Sequence, residues 1–191
     1  MNLFLIDMIL EQCASSMCDK HVVKMILETA QVLWCAWHLH KPDLEFIENQ
    51  YGIKPYKKTH INHPISIWIR ESINHYEYAV RYGLLLCQEY TRRYGKIHKT
   101  QQHLELLFWL GYPTVECEVP PPKTKKVTIK ATHNIPGGLK YFPMCFDEEY
   151  LVKDDIGNVL GVESYRNYYQ SKQDKFKMVW KTQTPGWFIK N

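Results

Sequence analysis

The sequence predicts an all-α protein: a three-helix core with a long central helix, plus an irregular C-terminal half carrying one further helix. Three observations lead there. Apolar residues recur at helical spacing through roughly the first 110 residues. Proline and glycine stand where those helices would begin or end, at Pro42, Pro64, Gly95, Gly111 and Pro113. From Tyr112 to Gly161 the periodicity fades, and "VPPPKTKK", "NIPGG" and "DDIGN" read as an extended basic loop and two turns.

The elements follow in order. The first helix starts after Asp19, a residue suited to cap it, and stops near His40 because Pro42 follows. A connector, Asp43 to His63, ends in "KPYKKTHINHP". Pro64 opens the second helix, which runs from Ile65 to Tyr94 with a bend expected at Gly83 and a stop at Gly95. The third runs from Thr100 to Leu110. After the excursion, a last helix over Val162 to Lys181 leads to the aromatic tail "TPGWF". A chain of 191 residues with 45% hydrophobic and 14% aromatic content is large enough for one well-buried core. We therefore expect a single domain over 1–191: helical core 1–111, excursion 112–161, then the C-terminal helix and tail 162–191. Trp68, Tyr76, Tyr82 and Tyr90 fall at helical spacing and read as core.

Charge is unevenly spread. The net +4 combines a balance of −4 over residues 1–53, +6 over 54–99, −3 over 100–122 and +5 over 123–191. Two basic blocks interleaved with aromatics suit a polyanion such as DNA, although such blocks also occur as plain solvated surface. The six cysteines form no dense framework and read as reduced thiols of a cytosolic or nuclear protein. "MNLFLIDMIL" lacks a basic start and contains Asp7, so it makes a poor signal peptide, and no apolar run has the length of a membrane span.

The first helix carries an unusual polar stripe. At about 100° per residue, His21, Lys24, Glu28 and Gln31 fall within about 80° of one another, while Val23, Ile26, Leu27, Ala30, Leu33, Trp34 and Trp37 fall on the opposite side. The plain reading is a solvated Lys24–Glu28 pair. The chemical reading is that Glu28 and His21 line a cleft as acid–base groups.

The stretch "CDKHVVKMILE" resembles the pyrimidine-dimer DNA glycosylase (endonuclease V) family of phage, algal-virus and bacterial proteins. There an Asp opens the helix, a His follows two residues on and the catalytic Glu lies seven further, a spacing matched by Asp19, His21 and Glu28. "NHP", "IRES", "YAVRYGLLLCQEYTRRYGKIHK" and "TPGWF" are similar to further family segments. The resemblance implies a glycosylase with abasic-site lyase activity on damaged or modified pyrimidines. The chain's α-amine would attack the sugar, the base would leave, an imine would link enzyme and DNA, and elimination would cut the strand. Glu28 would stabilise the developing positive charge, and His21 would orient DNA or the carboxylate. Family members with the clearest motif expose a threonine amine. Here Asn2 disfavours removal of the initiator, so the amine would be that of Met1, or of Asn2 after processing. Leu27 and Gln31 stand where the family carries arginines. Lys20 and Lys24 can restore charge there, but not a guanidinium's fork geometry.

Further residues are expected to contact DNA. "KKTHINHP" supplies Lys57, Lys58, His60, Asn62 and His63 at a helix start, and Lys57, Lys58, His60 and Arg70 cluster at that end of the second helix. Either Asn62 or His63 could instead merely cap that helix. "TRRYGKIHK" supplies Arg92, Arg93, Lys96 and Lys99, which could also serve only the helix dipole. "ESYRNYY", with Arg166, and Trp187 are candidates for contact with splayed bases. The expected partner is double-stranded DNA, damaged or modified; no cofactor, metal or membrane partner is expected. Two alternatives compete: a DNA-binding protein of the same fold without activity, and a zinc-dependent nuclease built from Cys13, Cys18, His21 and His60 or His63.

Overall fold

The computed structural model describes residues 2–41, 43–119, 121–123 and 128–190. Met1, and Pro120 and residues 124–126 of the basic "VPPPKTKK" loop, lie outside the described residues.

The mainly α-helical class is what the structure shows. In chain order the helices are α1 (Leu10–Ser15), α2 (Asp19–His40), α3 (Glu45–Tyr51), α4 (Pro64–Glu71), α5 (Ile73–Tyr94), α6 (Gln101–Leu110) and α7 (Gly161–Gln170). A two-stranded antiparallel sheet joins β1 (Lys130–Ala131) to β2 (Phe142–Pro143), and short 3-10 turns cover Glu148–Tyr150 and Ser171–Asp174. The two 22-residue helices α2 and α5 pack most extensively on each other, with α1, α4 and α6 against them. Their buried side chains include Ile26, Ala30, Leu33, Trp34, Ala79, Tyr82 and Leu86. Trp68, Tyr76 and Tyr82 are buried as expected, and Tyr90 packs on the core from a partly exposed position.

Four local expectations are corrected. The cap of α2 is Cys18, not Asp19. Asp19 is the first helical residue, where its charge suits the helix dipole, and its carboxylate binds Arg93 and the N–H of Lys181. The long second helix is two helices. Ser72 is extended (φ −156°, ψ 141°) and its hydroxyl accepts the N–H of Asn74, capping α5. A serine side chain offers the backbone this alternative to a continued helix. His75 then locks the corner, with its ring stacked on Trp68 at 4.3 Å and bonded to the Trp68 carbonyl at 2.8 Å.

The third correction concerns Gly83, where α5 runs on unbroken. A Cβ there would stand 2.8 Å from Leu104 Cδ2 and 3.1 Å from Thr29 Cγ2, so the glycine serves the close approach of α6 and α2. Fourth, α7 stops at Gln170 and does not reach Lys181. Further on, the Val179 carbonyl and the Lys181 N–H both bond to Asp19, which removes them from any helical ladder.

The N-terminal stretch "LFLI", Leu3 to Ile6, is buried and lies outside any helix or strand. The Phe4 N–H donates to Tyr82 Oη at 3.4 Å, and the Ile6 carbonyl accepts from Arg166 at 2.8 Å. The hydroxyl of Tyr165 donates to Asn2 Oδ1 at 3.0 Å. This segment is therefore tied to α5 on one side and α7 on the other, and the ties bring residue 2 to the polar stripe of α2.

Candidate active site

On the N-terminal half of α2, Lys20, Val23, Lys24 and Leu27 are exposed, whereas Val22, Met25, Ile26 and Thr29 are buried. Val23 and Leu27 thus leave the apolar face assigned to them from spacing. His21 and Glu28 lie at the margin of the exposed face. There α2 meets the N-terminal segment and the C-terminal half of the chain. Asn2, Phe4, His21, Lys24, Met25, Glu28, Cys145, Tyr168 and Lys172 line an open cavity of about 280 Å³.

Each polar member has its own setting. Glu28 pairs with Lys24 at 3.2 Å, the carboxylate side chain 15% exposed and the lysine 61%. His21 is buried among the rings of Phe4, Tyr169 and Phe176. Its Nδ1 shares a 2.7 Å bond with Tyr169 Oη, an oxygen that also accepts the Cys18 N–H at 2.9 Å. With that hydroxyl donating to Nδ1, the ring proton sits on Nε2. Burial, reinforced by Lys172, Lys24 and Lys20, pushes the His21 pKa down to about 3, so the ring is neutral at physiological pH. Burial likewise pushes the Cys145 thiol up to about 12, which leaves it protonated and poorly nucleophilic.

A second, larger cavity of about 600 Å³ adjoins the first through Cys145 and Tyr168, which line both. His63, Phe146, Tyr150, Asp147, Glu148 and Lys175 complete much of its wall. His63 caps α4, its Nδ1 accepting the Ile65 N–H at 3.2 Å. Burial lowers the His63 pKa to about 4, and Glu28 is near enough to act in the opposite direction.

The sequence-predicted residues separate into groups. Asn2, His21, Lys24 and Glu28 share the smaller cavity, and His63 opens on its neighbour. Gln31 is half-buried one turn beyond Glu28. Lys57, Lys58 and His60 are exposed on the connector, while Asn62 accepts the N–H of Lys123. Lys20 is exposed with its ammonium 4.3 Å from the Phe176 ring centroid; Lys96 and Lys99 are exposed beyond α5.

Two arginines expected to face DNA are buried instead. Arg70 donates to the Ile61 carbonyl and pins the connector. Arg93 binds Glu89, Asp19 and the carbonyls of Met17 and Ser15. Arg92 stays exposed, paired with Glu89 at 2.7 Å. Arg166 binds Asp7 at 2.9 Å, and its guanidinium lies 5.2 Å from the ring of the half-buried Trp187. Of the "ESYRNYY" tyrosines, Tyr165 and Tyr169 are core, and Tyr168 alone lines both cavities.

Residue spacing had not marked Phe4, Cys145 or Lys172. The one local signal for Lys172 is its place four residues after Tyr168, so that the α7 face continues into the 3-10 turn. Among the described residues no three His, Cys, Asp or Glu side chains form a metal-holding group. Cys13 Sγ donates to the Phe4 carbonyl and is buried away from His60 and His63, which are not. No helix among the described residues is long and apolar enough to cross a membrane.

A mainly helical protein whose cavity gathers a carboxylate, amines and a neutral histidine next to its N-terminal segment fits the class of DNA base-excision enzymes. A family model for pyrimidine dimer DNA glycosylases matches residues 1–103, more than half of the chain, and the protein belongs to that family. The family's substrate is DNA. The match spans Asn2, His21, Lys24, Glu28 and His63, and ends before Cys145, Tyr168 and Lys172. No curated protein and no solved structure matches the chain.

Proposed function

We propose that the protein is a DNA glycosylase with abasic-site lyase activity, acting on damaged or modified pyrimidines in double-stranded DNA through an imine formed by its N-terminal amine. The observation that carries this reading is that Asn2 and Glu28 line one cavity. An α-amine has a reference pKa of about 7.7–8.0, so an appreciable fraction is neutral near pH 7, where a typical lysine is not. The neutral amine, that of Met1 or of a processed Asn2, attacks C1′ of the damaged nucleotide. The base leaves with the glycosidic electron pair. Ring opening yields an imine, loss of a C2′ proton follows, and the C3′–O bond breaks.

Glu28, held beside Lys24, faces the charge that builds on the sugar and then carries protons. His21 forms the cavity floor as a neutral ring that presents an N–H. Lys20, Lys24, Lys57, Lys58 and His60 are the exposed groups that would meet phosphates in a salt-dependent, sequence-independent way.

Borohydride trapping on ultraviolet-damaged and abasic duplexes tests this. A covalent adduct is expected with the native chain. In Glu28→Gln its formation from the damaged duplex falls by about a hundredfold or more, the scale of a lost acid–base group. Salt-sensitive binding with no adduct on either duplex would leave a DNA-binding protein without activity.

A further inference from the structure

Lys172 lies outside the family-matched segment, yet it enters the same cavity as Glu28. It is carried by the 3-10 turn that continues α7. Its Nζ donates to Tyr168 Oη at 2.6 Å and stands 5.8 Å from the Phe4 ring centroid. Elsewhere Lys24 is engaged by Glu28, Arg92 and Arg93 by Glu89, and Arg166 by Asp7, while Lys20, Lys57 and Lys58 are exposed to solvent. Lys172 has no ion pair among the described residues, and its hydrogen-bond partner is a neutral phenol.

An ammonium half out of water, among aromatic rings and other cations, is poorly stabilised against loss of its proton. The direction here agrees. Burial lowers the Lys172 pKa, Lys175 and Lys24 lower it further, and Glu28 opposes them. The phenol of Tyr168 is held in its neutral form by burial, so it accepts the hydrogen bond of Lys172 without supplying a countercharge.

We infer that Lys172 is a second imine-forming amine of this site, acting on the aldehyde of a ring-opened abasic deoxyribose in DNA. The inference rests on the glycosylase and lyase reading of the same cavity. Neutral Nζ adds its lone pair to C1′, and the carbonyl oxygen takes up a proton to give a carbinolamine. That oxygen leaves as water, its second hydrogen drawn from the nitrogen, and a C1′=N bond remains. Protonation of this imine acidifies C2′. Loss of a C2′ proton then expels the 3′ phosphate ester with the C3′–O electron pair, and water finally returns the lysine. No oxidant or reductant is required. Lys172 thus handles the abasic product whether or not the N-terminal amine is engaged.

The test is reductive trapping of the full-length protein on an abasic duplex with borohydride, followed by peptide mass mapping. It is run on the native chain, on a chain with an acetylated α-amine, and on Lys172→Arg in both backgrounds. Arginine keeps the charge and can keep the Tyr168 contact, but a guanidinium does not form this imine. The expected result is an adduct on the Lys172 peptide that survives α-amine acetylation and is lost in Lys172→Arg at unchanged melting temperature. An adduct confined to the N-terminal peptide, untouched by Lys172→Arg, overturns the inference and leaves the glycosylase reading standing. Absence of any adduct on damaged and abasic duplexes alike overturns both.

Discussion

Two groups of ionisable side chains share the N-terminal half of α2 and are built on opposite plans. On one side, the Arg93 side chain is 0% exposed, and its guanidinium meets Asp19, Glu89 and two backbone carbonyls. On the other, His21, Lys24 and Glu28 line a cavity open to solvent, with Lys172 bonded to a single phenol. In the first group each charge is matched within the protein, and its yield is geometry: it ties α5 to the start of α2 and, through Asp19, to the segment around Lys181. In the second the groups border a cavity open to solvent, within reach of something that enters. Charge density alone would not separate the two; burial on one side and an open cavity on the other does.

The sharpest way to break this contrast is Arg93→Met. It leaves two carboxylates without their buried partner and should destabilise the fold by about 3–5 kcal/mol, read as a lower midpoint in urea. Glu28→Gln is the counterpart on the open side. The same measurement should move by no more than about 1 kcal/mol, while trapping collapses as described above. A loss of stability in Glu28→Gln comparable to that in Arg93→Met would mean that the cavity is as structural as the cluster.

Acid should reach the two sides differently. The folded His21 and His63 have pKa values depressed to about 3 and about 4. Between those values and the unfolded value near 6.5, the unfolded chain binds more protons. Their stabilising contribution is therefore complete above about pH 6.5 and is lost as pH falls towards 4, with a slope of at most about 1.4 kcal/mol per unit for each ring. Thermal melts from pH 7 to pH 4 should show that slope, and His21→Gln should flatten it. An unchanged slope in the variant would place the acid sensitivity elsewhere. The smallest effect belongs to Arg92, the exposed neighbour of Arg93 with a 56% exposed side chain. Arg92→Ala should cost less than about 1 kcal/mol, although it contacts the same Glu89.

Much of the helical frame was readable from residues with local effects. Pro64 opens α4, Gly95 ends α5 in the left-handed conformation, and α2 spans Asp19 to His40. Those signals act on the backbone within one turn, so they survive without knowledge of packing. The break at Ser72 was not readable, because the residue is a modest helix former and only its cap and the His75–Trp68 stack reveal the corner. Neither Arg93 nor Arg70 could be recognised as buried, because an arginine in sequence carries no mark of the carboxylates or carbonyls it will meet. The spacing of His21, Lys24 and Glu28 did place three polar groups on one side of a helix. It could not show that Val23 and Leu27 share solvent with Lys24, since helix periodicity is silent on which neighbours cover which face.

Taken alone, the order of residues determined the helical class, the end of α2, the start of α4, the end of α5 and the family that residues 1–103 match. All of these depend on contacts within a few positions along the chain. Folding added what depends on distant positions meeting. It brought Asn2 to Glu28 and carried Lys172 and Tyr168 from the far end of the chain into the same cavity. It also withdrew Arg93 from the surface into a closed network. The physical reason is the same in each case. Burial and partner geometry set whether a charge is spent on structure or left for chemistry, and neither is a property of a residue's neighbours in sequence.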